Sequence, residues 1–185
     1  MAVTIDIPLF EDSMFADKAR NNHQSLTSGW QGDNLREFTA TLTGKASVSN
    51  FFSVAFGADT VITNGALQAE ENAVVFQWNG RWEMRPRGFH EIYYAAPLSA
   101  ADGSEKTLTV KILVSESGDA KSLAFFDGET PISFTGLDIS TGIPSYLKRP
   151  DSWNMLRATA RGFADGESPS ITGSFVPYGT VMIIR

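Results

Sequence analysis

Three groups of residues carry side chains that could do chemistry. The first lies in the stretch 57–72. With Gly65 at the sharp turn of a calcium loop, Asn64 stands before it as an oxygen ligand, Leu67 falls at the apolar anchor, and Glu71 sits where a bidentate carboxylate is wanted. Asp59 adds a carboxylate one residue off the ligand register, while Thr60 and Ile62 take the first two ligand positions. A hard cation needs about six or more oxygens and Ile62 offers none. Asp59, Asn64 and Glu71 would therefore hold calcium if the loop binds it, and a plain surface loop with a solvated Glu70-Glu71 pair is the competing reading.

The second group is Trp78, Asn79 and Arg81, with Trp30 and Asn34 as a further pair. An indole in a loop can stack on the apolar face of a pyranose while neighbouring amide and guanidinium groups bond its hydroxyls. These five residues are the candidate ligand-binding set; the bland alternative is a tryptophan that plugs the open end of the fold. The basic residues Arg81, Arg85 and Arg87 alternate along one segment, as a solvated face or as a landing point for an anionic partner. The third group, His23 and His90, is widely separated in sequence, and His90 beside Glu91 reads as a surface residue. No Gly-x-Ser-x-Gly occurs, and no glycine-rich loop opens a helix. No catalytic residue is nominated.

Composition narrows the partners. With 15 basic and 21 acidic residues the formal charge is −6 and the pI near 4.9, so phosphate backbones and anionic bilayers are repelled on average. A nucleic-acid partner and membrane insertion are not expected, since no apolar run approaches the roughly 18 residues that span a bilayer. The absence of cysteine excludes disulfides and thiolate metal sites. Strand-like residues follow Met1-Ala2 directly, which suits a domain trimmed of an export signal; the expected location is extracellular or periplasmic. At 185 residues, 42% hydrophobic, a single domain over 1–185 can bury about 70% of its unfolded surface.

The elements that must position these groups are strands. Leu108, Val110, Ile112 and Val114 alternate with Thr107, Thr109, Lys111 and Ser115, the clearest period-2 signal in the chain. A turn at 115–119 with Gly118, a second strand through Leu123 and Phe125, the Asp127-Gly128 turn and a third strand through Ile132 and Phe134 follow. Similar alternation predicts strands at 3–7, 38–42, 52–56, 156–160, 171–176 and 181–184, with Ile92 and Tyr94 in another. A hairpin spans 73–84. Its two-residue loop would mix core and solvent residues on one face. A three-residue loop, Trp78-Asn79-Gly80, pairs Phe76 with Trp82 and Val74 with Met84, and leaves Trp78 at the tip. One helix of barely two turns is expected at 12–20, a long loop at 21–36, and an irregular crossover at 135–151. About twelve strands without a repeat predict an all-β, two-sheet antiparallel sandwich of jelly-roll type.

The run Leu108–Val114, then Lys121–Phe126 closed by Asp127-Gly128, resembles the central strands of the concanavalin A-like or laminin-G-like jelly-roll sandwich. That resemblance implies a lectin-type fold and glycan binding, frequently with calcium. The Glu-x-Asp-x-x-Glu strand of the family's glycosidases is absent. The expected function is a non-catalytic exported module that recognises carbohydrate or a cell-surface protein through end loops. The rival is a structural subunit that packs on a neighbour or on copies of itself as a homo-oligomer; a glycoside hydrolase is the third reading, and calcium is the one cofactor considered.

Overall fold

The computed structural model describes residues 3–6, 20–25, 35–57, 74–86, 91–150, 153, 155–164 and 167–177. They form twelve strands and one 3-10 turn, Ser145–Leu147, in the crossover. The strands are β1 (Val3–Asp6), β2 (Arg20–Ser25), β3 (Leu35–Lys45), β4 (Phe51–Gly57), β5 (Val74–Asn79) and β6 (Trp82–Pro86). The rest are β7 (Tyr93–Ala96), β8 (Glu105–Val114), β9 (Ala120–Asp127), β10 (Thr130–Phe134), β11 (Met155–Arg161) and β12 (Ser170–Pro177).

All pairings among these strands are antiparallel, in the order β1-β12-β3-β8-β9-β10-β7-β6-β5-β4-β11-β2. The expected sandwich is therefore one continuous sheet curled over on itself. Its two six-stranded halves meet at a short seam, where Ser133 and Phe134 pair with Ala96 and Ala95.

Period-2 alternation explains how the halves face each other. From the first half, Leu108, Val110, Ile112 and Val114 of β8 and Phe38, Ala40 and Leu42 of β3 point inward, none more than 3% exposed. The second half answers with Phe52, Val54 and Phe56 of β4 and Phe76 and Trp78 of β5. Aromatic rings join the layers: Phe38 meets Phe56 edge to face at 4.3 Å, and Phe76 lies 5.8 Å from Phe125 and 6.0 Å from Phe134. Trp153, just before β11, stacks on Phe56 at 5.8 Å. Such contacts add about 0.5–1.5 kcal/mol per pair to the area that they bury, so the core is held across the layers.

Several expectations need correction. Residues 21–25, expected in a loop, belong to β2, whose residues 20–25 pair with 155–160 of β11. Tyr94 lies in β7 as expected, but Ile92 precedes that strand and is 36% exposed; Tyr93 packs on the core and Ala95 is buried. The hairpin joining β5 and β6 has the expected apolar face but a different register: Trp78 pairs with Trp82, Phe76 with Met84 and Val74 with Pro86. The loop is Asn79-Gly80-Arg81, with Gly80 at φ 73°, the left-handed region that favours glycine. Of the expected helix at 12–20, Arg20 instead opens β2 and residues 12–19 lie outside the described residues, as does the expected strand at 181–184.

Candidate functional site

The register of β5 decides where the candidate ligand residues go. Trp78 is not at the hairpin tip but inside the core, 0% exposed, edge to face with Trp82 at 5.1 Å. Its indole nitrogen donates to the Ser47 carbonyl at 2.9 Å. A stacking platform at Trp78 is thereby ruled out, because pairing with Trp82 turns the ring inward. Asn79, the next residue, turns the other way and is exposed, and Arg81 is 42% exposed. Trp30 and Asn34, like Asp59, Asn64, Glu71 and His90, lie outside the described residues; His23 is in β2, opposite Arg157. Among the described residues, no group of three or more His, Asp or Glu could hold a metal ion.

The outward face of the second half-sheet gathers what the sequence did not nominate. One register row crosses all six strands: Asn21, Thr159, Ser53, Gln77, Glu83 and Tyr94. At its centre Ser53, Gln77 and Glu83 are 0%, 1% and 2% exposed, although they point away from the main core. The row beside it places Ala55 and Val75, both buried, with Arg85, and Phe51 packs against this small apolar cluster. The face is thus a closed floor of mixed chemistry.

Glu83 organises the polar part. Its Oε2 accepts from Gln77 Nε2 at 2.7 Å, from Arg85 Nε at 3.1 Å and from Arg85 Nη2 at 2.9 Å. Its Oε1 faces Arg81 Nε at 3.6 Å. Two cations and an amide thus compensate a carboxylate that burial would otherwise penalise heavily. The same contact fixes the Gln77 amide, since only its NH2 end can face a carboxylate. Gln77 Oε1 is therefore turned away from Glu83 and has no partner, and Ser53 Oγ, on the adjacent cross-strand residue, has none either. A buried unsatisfied polar atom costs about 1–3 kcal/mol.

The rim is open and basic. The Arg81 guanidinium lies over the Tyr94 ring at 3.7 Å, and Arg161, at the end of β11, lies over Phe51 at 4.9 Å. Arg161, Phe51 and Asn79 stand in one register row, one step along the strands from Ser53 and Gln77. Asn79 and Arg81 are the two nominated residues that the structure brings together here. Ser53, Gln77, Glu83, Tyr94 and Arg161 were missed. The available signals were a lone Gln inside the run Val74-Val75-Phe76-Gln77-Trp78 and a lone Glu between Trp82 and Met84.

A second cavity, about 330 Å³, opens beside β9 and β10 and is lined largely by Leu123, Phe125, Ile132, Phe134, Leu137 and Ile139. Lys121, Ser122, Ser133 and Asp138 complete its lining, and none of the buried unpartnered polar atoms lies in it.

No family model matches the sequence, and no curated protein matches it. Solved structures do resemble the fold. The carbohydrate recognition domain of Emp46p, in its metal-free form, aligns over 97% of this chain and 89% of its own, at 9% identity and a TM-score of 0.52. The CBM40 of the Ruminococcus gnavus IT-sialidase covers 97% and 93% at 14% identity and a TM-score of 0.47. Peanut lectin covers 97% and 100% at 11% identity and a TM-score of 0.45. At such identities the likeness speaks to architecture alone: the chain has the lectin-type, concanavalin A-like β-sandwich fold.

Proposed function

We propose that this chain is a non-catalytic, exported binding module that takes a carbohydrate on the outward face of its second half-sheet, rather than on end loops. The observation that carries this reading is the pair of buried, unpartnered atoms Ser53 Oγ and Gln77 Oε1. Left unpaired they cost the fold free energy, as do the indole nitrogens of Trp82 and Trp153 in the core, whereas sugar hydroxyls, each both donor and acceptor, would satisfy an acceptor and a hydroxyl at once. The Emp46p domain, which shares the fold, is by its description a carbohydrate recognition domain. Catalysis finds less support: both Glu83 oxygens face cations, and hydrolysis would need a second carboxylate across from it.

The test is a glycan array followed by calorimetry on the wild type, Ser53→Ala and Gln77→Leu. Binding that falls about tenfold or more in both variants, with the melting temperature of Ser53→Ala unchanged or raised, is the expected result. A ligand held equally well by both variants removes the face from consideration.

A further inference from the structure

We propose that the cavity beside β9 and β10 is a second binding site, for a small apolar monocarboxylate whose hydrocarbon body enters between Leu123, Ile132, Leu137 and Ile139 and whose carboxylate meets Lys121. The site shares no residue with the carbohydrate face and does not rest on it.

The cavity interrupts an otherwise dry interior. Val110 and Ile112 of β8 are 0% exposed, yet of their register partners on β9, Phe125 is 7% exposed and Leu123 only partly buried. Ile132 of β10, paired with Phe125, is partly buried too, as are Leu137 and Ile139 beyond that strand, although all of them pack on the core. Phe125 and Phe134, edge to face at 4.8 Å, complete the apolar lining. Side chains of this kind around an open space leave unmade the burial that drives the rest of the fold. The wall after β10 is fixed in advance. The chain turns at Gly136, φ 88°, where the Leu137 N–H bonds to the Phe134 carbonyl at 3.0 Å and a Cβ would stand 3.3 Å from the Tyr93 ring. An apolar cavity of about 150 Å³ already holds benzene, so the 330 Å³ here suit a body of roughly ten carbons.

Charge selects the head group. The β8–β9 register shifts between Leu113, which pairs with Ser122, and Val114, which pairs with Ala120, so Lys121 is the extra residue of a bulge. A bulge of this kind re-aims a side chain. Lys121 lines the cavity and forms no ion pair among the described residues. Asp138, the other charged residue of the lining, is already engaged: its Oδ1 accepts the Ser140 N–H at 2.8 Å. Hydrogen bonds from the Ser140 hydroxyl and backbone hold its carboxyl below the usual carboxylate range. It therefore stays ionised at neutral pH and repels a second negative charge on the ligand. One uncommitted cation beside one committed anion favours a single carboxylate, with hydrocarbon behind it.

Calorimetry at about 150 mM salt, where long-range attraction is screened, tests this with matched acids and alcohols. One pair is decanoate and decanol, the other naphthoate and naphthol. The expected result is saturable binding of at least one acid at one site per chain, about fivefold or more tighter than its alcohol, as a charge-assisted hydrogen bond supplies. The pair that responds shows whether the body is a chain or a ring system. If it is the chain, affinity should rise about fourfold per added methylene from hexanoate to decanoate. Lys121→Gln, at the surface, should bring the acid down to the affinity of its alcohol and leave the alcohol unchanged. Leu137→Trp, which fills the cavity, should abolish both, with its melting temperature confirming folding. Acid and alcohol bound alike, or a preference that survives Lys121→Gln, refutes the carboxylate assignment. Absence of saturable binding, or binding untouched by a folded Leu137→Trp, removes the cavity as a site. Ser53→Ala should leave acid binding unchanged, so the fate of this site and that of the carbohydrate face are read separately.

Discussion

The outward faces of the two half-sheets share one pleat and differ in what they keep from water. Across β12, β3 and β8 the outward rows read Ser170, Thr43, Thr107; then Thr172, Thr41, Thr109; then Ser174, Thr39, Lys111. All of these are partly or fully exposed, so water can satisfy the hydroxyls, and Thr43 and Thr107 bond each other at 2.9 Å. Across β4, β5 and β6 the corresponding positions are Ser53, Gln77, Glu83, Ala55 and Val75, none more than 9% exposed. A curled sheet needs one dry face, and Thr-rich strands show how the other is ordinarily finished. Burial on an outward face, with polar atoms left unbonded, is what separates the proposed binding surface from a merely solvated one.

The comparison can be broken by substitution. The largest effect is expected from Glu83→Ala, which strands Arg85 and Gln77 in a buried place; stability to urea should fall by about 3–5 kcal/mol. Smaller and opposite in sign, Ser53→Ala should raise stability by about 1 kcal/mol, or the melting temperature by roughly 2–4 °C, while ligand is lost; Gln77→Leu also removes the hydrogen bond to buried Glu83 and should destabilise. Activity and stability would then trade against each other on this face alone. On the first half, Thr41→Ala and Thr109→Ala should stay within about 0.5 kcal/mol of wild type. If they destabilise as much as Glu83→Ala, the asymmetry between the faces is not real.

The smallest effect concerns Asp102, exposed in the turn before β8. Hydrogen bonds from the Ser104 hydroxyl at 2.6 Å and backbone N–H at 3.0 Å lower its carboxyl to about 2. A folded-state value below the unfolded one contributes stability above pH about 4, lost as pH falls toward 2. Asp102→Asn should therefore lower the melting temperature slightly at pH 7 and not at all near pH 2.

How much was legible depended on whether the signal was local. The inward set of β8 follows from alternation within one strand, and all four of its residues are buried as expected. In the β5–β6 hairpin, alternation specified the inward faces correctly but not the register, because a shift that moves pairing by two keeps every side chain on its face. That shift carried Trp78 from the tip into the core opposite Trp82. The residues of β2, Arg-Asn-Asn-His-Gln-Ser, show no alternation at all; pairing with β11 places them, and that partner lies far along the chain. The polar floor was hidden for the same reason. Ser53, Gln77 and Glu83 are unremarkable singly, and only the pairing of three strands makes them neighbours.

One consequence of the strand order concerns how the molecule is made. Its two outermost strands, at residues 3–6 and 20–25, zip onto strands that begin at residues 170 and 155. During synthesis both early segments must wait for these partners until residues 155–161 and 170–177 have emerged from the ribosome. Contacts this distant in sequence close slowly, on the millisecond-to-second scale typical of sheet proteins, so the finishing of either border is governed by the arrival of β11 and β12.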